Sequence, residues 1–464
     1  MKDDRKKIRR IVLESLLEKD LSSNKSQLDI MVVEDKDRAN IWRVKQELNS
    51  RGFKMMIVGG AVRDTVKNNI KLAKNPQDTT IEKPKDFDLV TDADPNTIRS
   101  IFEHADFVSN ILHIGESFAI QFLVTKNGRQ YEIATYRSDV GGGRRPDSVK
   151  FETSPEKDAE RRDLTINALF YDIHKLTDSG FLGKIIDYVG GIEDIKNNVI
   201  NTVGDPYDRF GEDALRKLRA VRFAAKMGSV IPDNVADAIR AGGTSLISAD
   251  GTMVSSERIK DEFYKGIKSA KSVKYFLNLL KDFDFFKHIF GNTLSVDTSS
   301  FIEERHPIVL TANLLKNNSK DTVREDLNKR KYSTPMVDYV NFLISLIGLS
   351  ENTVSGIKSE CARIMLSTQI PKINETSYPM TEDVIYKFAS LNNIDKVKID
   401  NMMRLAKEFR SLPVVLMSIG YRGFELGTAI SRLEKEFYKN PDRVKKILDS
   451  GDKDEINKII FIGK

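Results

Sequence analysis

The chain has 464 residues, too many for one ordinary hydrophobic core, and its length predicts about three domains. Apolar residues make up 40% and charged residues 31%, which excludes a disordered or collagen-like chain. The balance of 74 basic to 68 acidic residues gives a net charge of +6, which suits a nucleic-acid partner without requiring one. The single cysteine, Cys361, excludes an internal disulfide framework and a thiolate zinc site. It predicts a reducing, intracellular (cytoplasmic) compartment and no disulfide-linked partner. No apolar run reaches the roughly 18–20 residues of a membrane span, so no membrane partner is expected. The basic N-terminus has no apolar stretch behind it, and Asp3 and Asp4 argue against an organelle presequence.

Residues 1–49 alternate charged and apolar positions, and Ile8, Val12, Leu16 and Leu17 fall on one helical stripe, so a helical N-terminal extension is expected. Over 50–172 short apolar runs are broken by Gly, Asp and Asn. They predict strands at 55–58, 87–90, 118–124 and 131–134, with a short helix at 95–104. The polar stretch 66–85 reads as a surface insertion. After Ile185 helical spacing takes over, as in Leu215, Leu218 and Val221, and in Ile259, Phe263 and Ile267 behind a capping Ser255. The predicted fold class is α+β: a mixed-sheet head over 50–172, a helical neck over 173–275, and a helical body and tail over 276–464.

Chemistry concentrates in Lys85-Asp86-Phe87-Asp88-Leu89-Val90. Side chains two apart on a strand share a face, so Asp86 and Asp88 stand side by side while Phe87 enters the core. Two such carboxylates repel each other, and a hard cation relieves the repulsion. Oxygen ligands of this kind suit Mg²⁺, which bridges carboxylates to substrate phosphates. Two such ions can stabilise the attacking and leaving oxygens of a displacement at phosphorus. By itself an Asp-x-Asp is also a solvated turn.

Upstream, Ile57-Val58-Gly59-Gly60-Ala61-Val62-Arg63-Asp64 runs an apolar strand into two glycines and then a helix start. Gly59 and Gly60 allow close approach to a phosphate, and the helix start offers free N–H donors. A tight turn with no ligand is the plainer alternative. Arg63 either clamps phosphate or pairs with Asp64 or Asp86.

This turn, the Asp-x-Asp strand and the Thr91-Asp-Ala-Asp-Pro95 turn together resemble the opening of the class II tRNA nucleotidyltransferase (CCA-adding enzyme) and bacterial poly(A) polymerase family. That family belongs to the polymerase-β superfamily. The resemblance implies a polymerase-β-like head. It also implies a third catalytic acid on a neighbouring strand, matched by Glu132 in Tyr131-Glu132-Ile133-Ala134; a surface glutamate is an equal alternative. Gly141-Gly142-Gly143-Arg144-Arg145-Pro146 resembles the family's flexible loop, and is also a plain linker. Glu160-Arg161-Arg162-Asp163-Leu164-Thr165-Ile166-Asn167 matches its second motif. Arg161, Arg162 and Asn167 suit the triphosphate and ribose of an incoming nucleotide, with Asp163 orienting an arginine or sitting in a buried network.

The block Glu212-Asp213-Ala214-Leu215-Arg216-Lys217-Leu218-Arg219 matches the family's base-selecting motif, which implies nucleotide contacts for Glu212, Asp213, Arg216 and Arg219. In a helix Asp213 and Arg216 share a face at i, i+3 spacing, also the spacing of a surface ion pair. Cytosine and adenine both present an amino donor beside a ring acceptor, whereas guanine and uracil present the reverse. An aspartate acceptor beside an arginine donor therefore accepts C and A.

The activity so implied is template-independent addition of CCA to the acceptor end of tRNA from CTP and ATP. The alternatives are a poly(A) polymerase, an enzyme adding only C or only A, and a catalytically silent RNA-binding protein.

Overall fold

The computed structural model describes residues 29–75, 81–114, 120–140, 148–151, 154–349, 360–361, 364–365 and 369–461. The predicted stripe from Ile8 to Leu17 and the glycine loop at 141–146 lie outside the described residues. The chain divides into two compact units, Met1–Val254 and Ser255–Lys464.

The first unit is built on an eight-stranded sheet. Its strands are β1 (Asp29–Val32), β2 (Met55–Val58), β3 (Asp88–Thr91), β4 (Val108–Ile114), β5 (Ile120–Thr125), β6 (Gln130–Thr135), β9 (Leu169–Thr177) and β10 (Gly180–Asp187). Two further strands, β7 (Arg137–Val140) and β8 (Ser148–Phe151), form a separate hairpin. The order across the sheet is β1-β10-β9-β2-β3-β6-β5-β4. All pairs are antiparallel except β3–β6. A parallel pair needs a crossover, and the chain makes it through α3 (Pro95–Phe102), β4 and β5.

All four residues of β2 are buried, as befits a central strand covered on both faces. β6 alternates instead: Tyr131 and Ile133 are buried, while Glu132 is partly exposed on the opposite face. The Tyr131 hydroxyl donates to Asp37 at 2.6 Å, and Asn40 donates to that hydroxyl oxygen at 3.1 Å. Both partners lie on α1 (Asp35–Asn49), which therefore covers that side of β6.

Three expectations change. Residues 29–32 form a strand, not part of a helical extension: β1 pairs with β10, Met31 opposite Phe181. Four residues with a partner so distant in sequence leave no local periodicity to read. The stretch expected as a polar insertion continues the helix α2 (Gly60–Lys74) as far as Lys74, because Val66 and Leu72 sit on its buried side. Strands run on to Asp187, past the expected head boundary at 172, since β9 and β10 complete the sheet.

The first unit is closed by α4 (Pro155–Glu160), α5 (Gly191–Asn197), α6 (Pro206–Glu212), α7 (Leu215–Met227) and α8 (Asp233–Arg240). Leu215, Leu218 and Val221 are all buried on α7.

Among the described residues, the second unit is helical apart from a hairpin pairing Lys372–Ile373 with Thr376–Ser377. It begins with α9 (Ser256–Ser269), which buries Ile259, Phe263 and Ile267. Phe263 packs edge-on against Phe290 at 5.4 Å between ring centroids, an arrangement favoured by the ring quadrupoles. Cys361 is buried, its sulfur 3.7 and 3.8 Å from the sulfurs of Met365 and Met403. Among the described residues no helix is long and apolar enough to cross a membrane.

Candidate active site

One row of the sheet carries the acids. Phe170 of β9 lies opposite Val58, Val58 opposite Asp88, and Asp88 opposite Glu132. Residues in register across neighbouring strands project from the same face. Asp88 and Glu132 therefore stand side by side, at the edge of an apolar floor made by Val58, Val90 and Phe170. Asp86 is not in the strand: β3 starts at Asp88, and Asp86 lies in the extended chain before it. The alternation holds nonetheless, with Phe87 buried and both aspartates exposed.

Although Asp88 keeps a solvent-facing surface, protein surrounds much of it. That desolvation raises its carboxyl above the usual range; the Arg162 charge opposes the shift and Asp86 adds to it. Glu132 is raised as well, first by burial and then by the charge of Asp88. Three acids and Arg162 thus share one electrostatic environment. Among the described residues no three His, Cys, Asp or Glu side chains converge into a self-sufficient metal cage.

Gly59 ends β2 next to this pair. Its φ of +77° is a conformation that L side chains rarely adopt, and a Cβ there would sit 3.2 Å from Asp88 Oδ2. Gly60 opens α2, whose first turn carries no acid and no side-chain cap. Arg63, one turn on, is buried. Its Nη1 donates to Asn167 Oδ1 at 2.7 Å and its Nε to Asp64 Oδ1 at 3.0 Å. Arg63 thus ties the glycine turn to the 3₁₀ turn Thr165–Asn167. Asn167 Nδ2 is buried with no hydrogen-bond partner among the described residues.

Arg161 and Arg162 are both gripped by Asp158, a fully buried residue on α4. Arg161 donates to Oδ1 through Nε at 3.0 Å and Nη2 at 2.6 Å, and Arg162 to Oδ2 at 3.0 and 2.8 Å. Burial alone would raise the Asp158 carboxyl, but the two guanidiniums outweigh it and hold it below its usual range. Sequence reasoning missed Asp158. Its i, i+3 and i, i+4 spacing to the two arginines was the available signal.

The orienting role considered for Asp163 falls elsewhere. Asp163 Oδ2 accepts from Arg219 Nε at 2.7 Å, and its Oδ1 from the Leu164 amide at 2.9 Å. Burial pushes its carboxyl up, but Arg219 prevails and holds it at about 2. A depressed carboxyl contributes stability above its unfolded value, and that contribution is lost as pH falls from about 4 towards about 2. Asp163→Asn is expected to cost about 2 kcal/mol at pH 7. Urea unfolding should show the gap to wild type narrowing at pH 3; a gap independent of pH would contradict this account.

The block from Glu212 to Arg219 departs from the expected single helix. Asp213 lies between α6 and α7 in extended conformation, with φ −147° and ψ 104°. Its Oδ1 accepts from the Leu215 amide at 3.1 Å, next to the α7 start. Arg216 forms an ion pair with Glu212. Glu212 also accepts from Arg209 at 2.9 and 3.2 Å. Arg216 Nη1 reaches the Arg209 carbonyl at 3.2 Å, and Arg219 follows one turn along α7.

Residues 55–201 match the family described as the poly A polymerase head domain. The CCA-adding enzyme of Lactobacillus helveticus is 35% identical over 240 residues, covering 51% of this chain and 52% of that protein. The CCA-adding enzyme of Bacillus subtilis is 38% identical over 224 residues, 48% of each chain. The chain therefore spans about half the length of the curated relatives it matches. In structure, the Bacillus stearothermophilus CCA-adding enzyme in complex with CTP is similar with a TM-score of 0.60 and 21% identity, over 92% of this chain and 98% of that one. The Thermotoga maritima CCA-adding enzyme complexed with tRNA-CCA gives a TM-score of 0.54 at 17% identity, over 92% and 99%. At such identities the likeness is one of fold. Residues 55–201 thus match the poly A polymerase head domain, and the chain shares its fold with CCA-adding enzymes.

Proposed function

We propose that the chain is a template-independent nucleotidyltransferase that adds CCA to the 3′ end of tRNA from CTP and ATP. The observation that carries this reading is the register pairing of Asp88 with Glu132 beside Gly59, with Asp86 close enough to raise Asp88. Partly desolvated, mutually repelling carboxylates are costly unless a cation joins them. Mg²⁺ fits this donor set, and Asp86 and Asp88 would hold it. When bound, Mg²⁺ supplies charge compensation for the oxygens of the displacement at phosphorus.

The chain's own residues supply the rest. Arg161 and Arg162, pre-set by Asp158, offer planar cationic donors to the triphosphate. Asn167, held through Oδ1 by Arg63, keeps its Nδ2 for a ribose hydroxyl. Asp213 and Arg216 read the pairing edge of the incoming base, with Glu212 fixing the Arg216 guanidinium. The RNA 3′ hydroxyl gives up its proton to water, its oxygen bonds to the α-phosphorus, and the bond from that phosphorus to the bridging oxygen breaks as pyrophosphate leaves. The second, helical unit holds the acceptor end by shape and phosphate contacts.

The test is to incubate the full chain with tRNA lacking its 3′ end, offering CTP, ATP, GTP and UTP singly and together, and to sequence the product. Addition of C-C-A supports the proposal. Runs of A, or C or A alone, would replace it with one of the alternatives, and no incorporation would sink it. Asp213→Ala and Arg216→Ala should raise misincorporation of G and U about 10-fold or more, from the lost hydrogen-bond pairing. Uniform loss of all incorporation with unchanged selectivity would count against the base-reading role.

A further inference from the structure

Between Glu212 and Arg219 no proline or glycine forces a break, and Ala214, Leu215, Arg216 and Lys217 are good helix formers. The local sequence therefore favours one helix through Asp213, yet α6 stops at Glu212 and α7 starts at Leu215. In a continuous helix the Ala214 amide would donate to the Phe210 carbonyl, and the Leu215 amide to that of Gly211. The chain makes other bonds instead. The Ala214 amide donates to Ser248 Oγ at 3.1 Å. The Gly211 carbonyl accepts from the Ala249 amide at 2.7 Å. The Leu215 amide donates to Asp213 Oδ1 at 3.1 Å. Ser248 and Ala249 are remote in sequence from the break they hold open.

Their own segment is fixed. The Ser248 amide donates to the Thr252 carbonyl, and the Gly251 amide to the Ser248 carbonyl, each at 2.9 Å. Gly251, with φ +80°, supplies the left-handed residue of this turn. Lys217, next to Arg216, donates through Nζ to the carbonyls of Ala241 and Ser245 at 3.2 Å each, which ties the approach to the turn onto α7. Ser248 and Lys217 are each less than a tenth exposed. A buried amide with no acceptor is costly. Without the Ser248 hydroxyl, the Ala214 amide would regain a partner by closing onto Phe210. Closing would turn Asp213 from φ −147° and ψ 104° to helical angles and re-aim its carboxylate. The Arg216 amide, which donates to the Asp213 carbonyl at 2.9 Å, would move to that of Glu212.

We propose that Ser248 is a positioning residue for base selection. Acting through the Ala214 amide, it holds Asp213 and Arg216 in the geometry that reads the pairing edge of C or A, and so it rests on the base-reading role proposed above.

The experiment compares wild type, Ser248→Ala, Ser248→Thr, Asp213→Ala and the double variant of Ser248→Ala with Asp213→Ala, all as full-length chains with Mg²⁺. Calorimetry measures the affinity for CTP, ATP, GTP and UTP. Extension of tRNA lacking its 3′ end measures kcat/KM for each nucleotide. Ser248→Ala is expected to cut the preference for C and A over G and U about 5-fold, the scale of one buried amide left without its acceptor. Ser248→Thr keeps the hydroxyl and should stay close to wild type. The double variant should be no less selective than Asp213→Ala alone, because both changes act through one carboxylate. Wild-type preference in Ser248→Ala, with or without a lowered melting temperature, overturns the positioning role. So does an additive loss in the double variant, or a Ser248→Thr as relaxed as Ser248→Ala. The base-reading role fails separately: there, Asp213→Ala itself would keep the wild-type preference.

Discussion

Asp88→Ala is expected to lower nucleotide incorporation by at least about 10³-fold, the scale reached when a preorganised electrostatic contribution to the transition state is removed, here the carboxylate that would hold the cation. The reasoning is positional. Asp88 is opposite Glu132 across the parallel pair and against Gly59 across the turn, so no neighbouring acid can move into its place without a shift of register. The same substitution should not harm folding. The carboxyl of Asp88 is raised in the fold, so its ionised form costs stability at pH above its unfolded value. Asp88→Asn, which keeps the shape, should therefore unfold at the same temperature as wild type or higher, a trade of stability for activity common at reactive sites. Single-turnover incorporation and thermal melting, measured on the same protein, check both halves. Incorporation at the wild-type rate in Asp88→Ala would end the enzymatic reading as placed here.

Gly191→Ala is expected to destabilise the first unit by about 3 kcal/mol, at the upper end of what overpacking costs. A Cβ at Gly191 would lie 2.2 Å from the Thr165 carbonyl oxygen and 2.7 Å from its carbon. These are backbone atoms, which cannot swing aside as a side chain can. Thr165 opens the turn that carries Asn167, so the strain falls on the residue that Arg63 holds. Activity should drop together with stability, and a melting temperature lower by roughly 6–12 °C is expected for a unit of this size. A variant that melts with wild type would show that α5 can pull away from the turn freely.

The chain-local features of this protein were legible in its residues. Alternation around Phe87 is enough to place Asp86 and Asp88 on one side, because strand side chains project with a period of two. The paired glycines announced a turn at the end of an apolar strand, and φ +77° at Gly59 is the conformation such a turn requires. The i, i+4 pairing of Glu212 with Arg216 was equally open to reading. The break between α6 and α7 at Asp213 was not, because its extended conformation leaves no mark on helical spacing.

What only the tertiary structure decided has one physical cause: partners that meet through folding leave no mark on local spacing. Asp29–Val32 looks like nothing until β10 supplies its hydrogen bonds. Asp163 stands one residue from Arg162 yet pairs with Arg219, because α7 lies across it and Asp158 has already taken both nearer guanidiniums. The residue types of the candidate site, its glycine turn and its acidic strand were thus set along the chain. Which arginine meets which acid was set by the packing of helices against the sheet, where burial makes every unmatched charge costly.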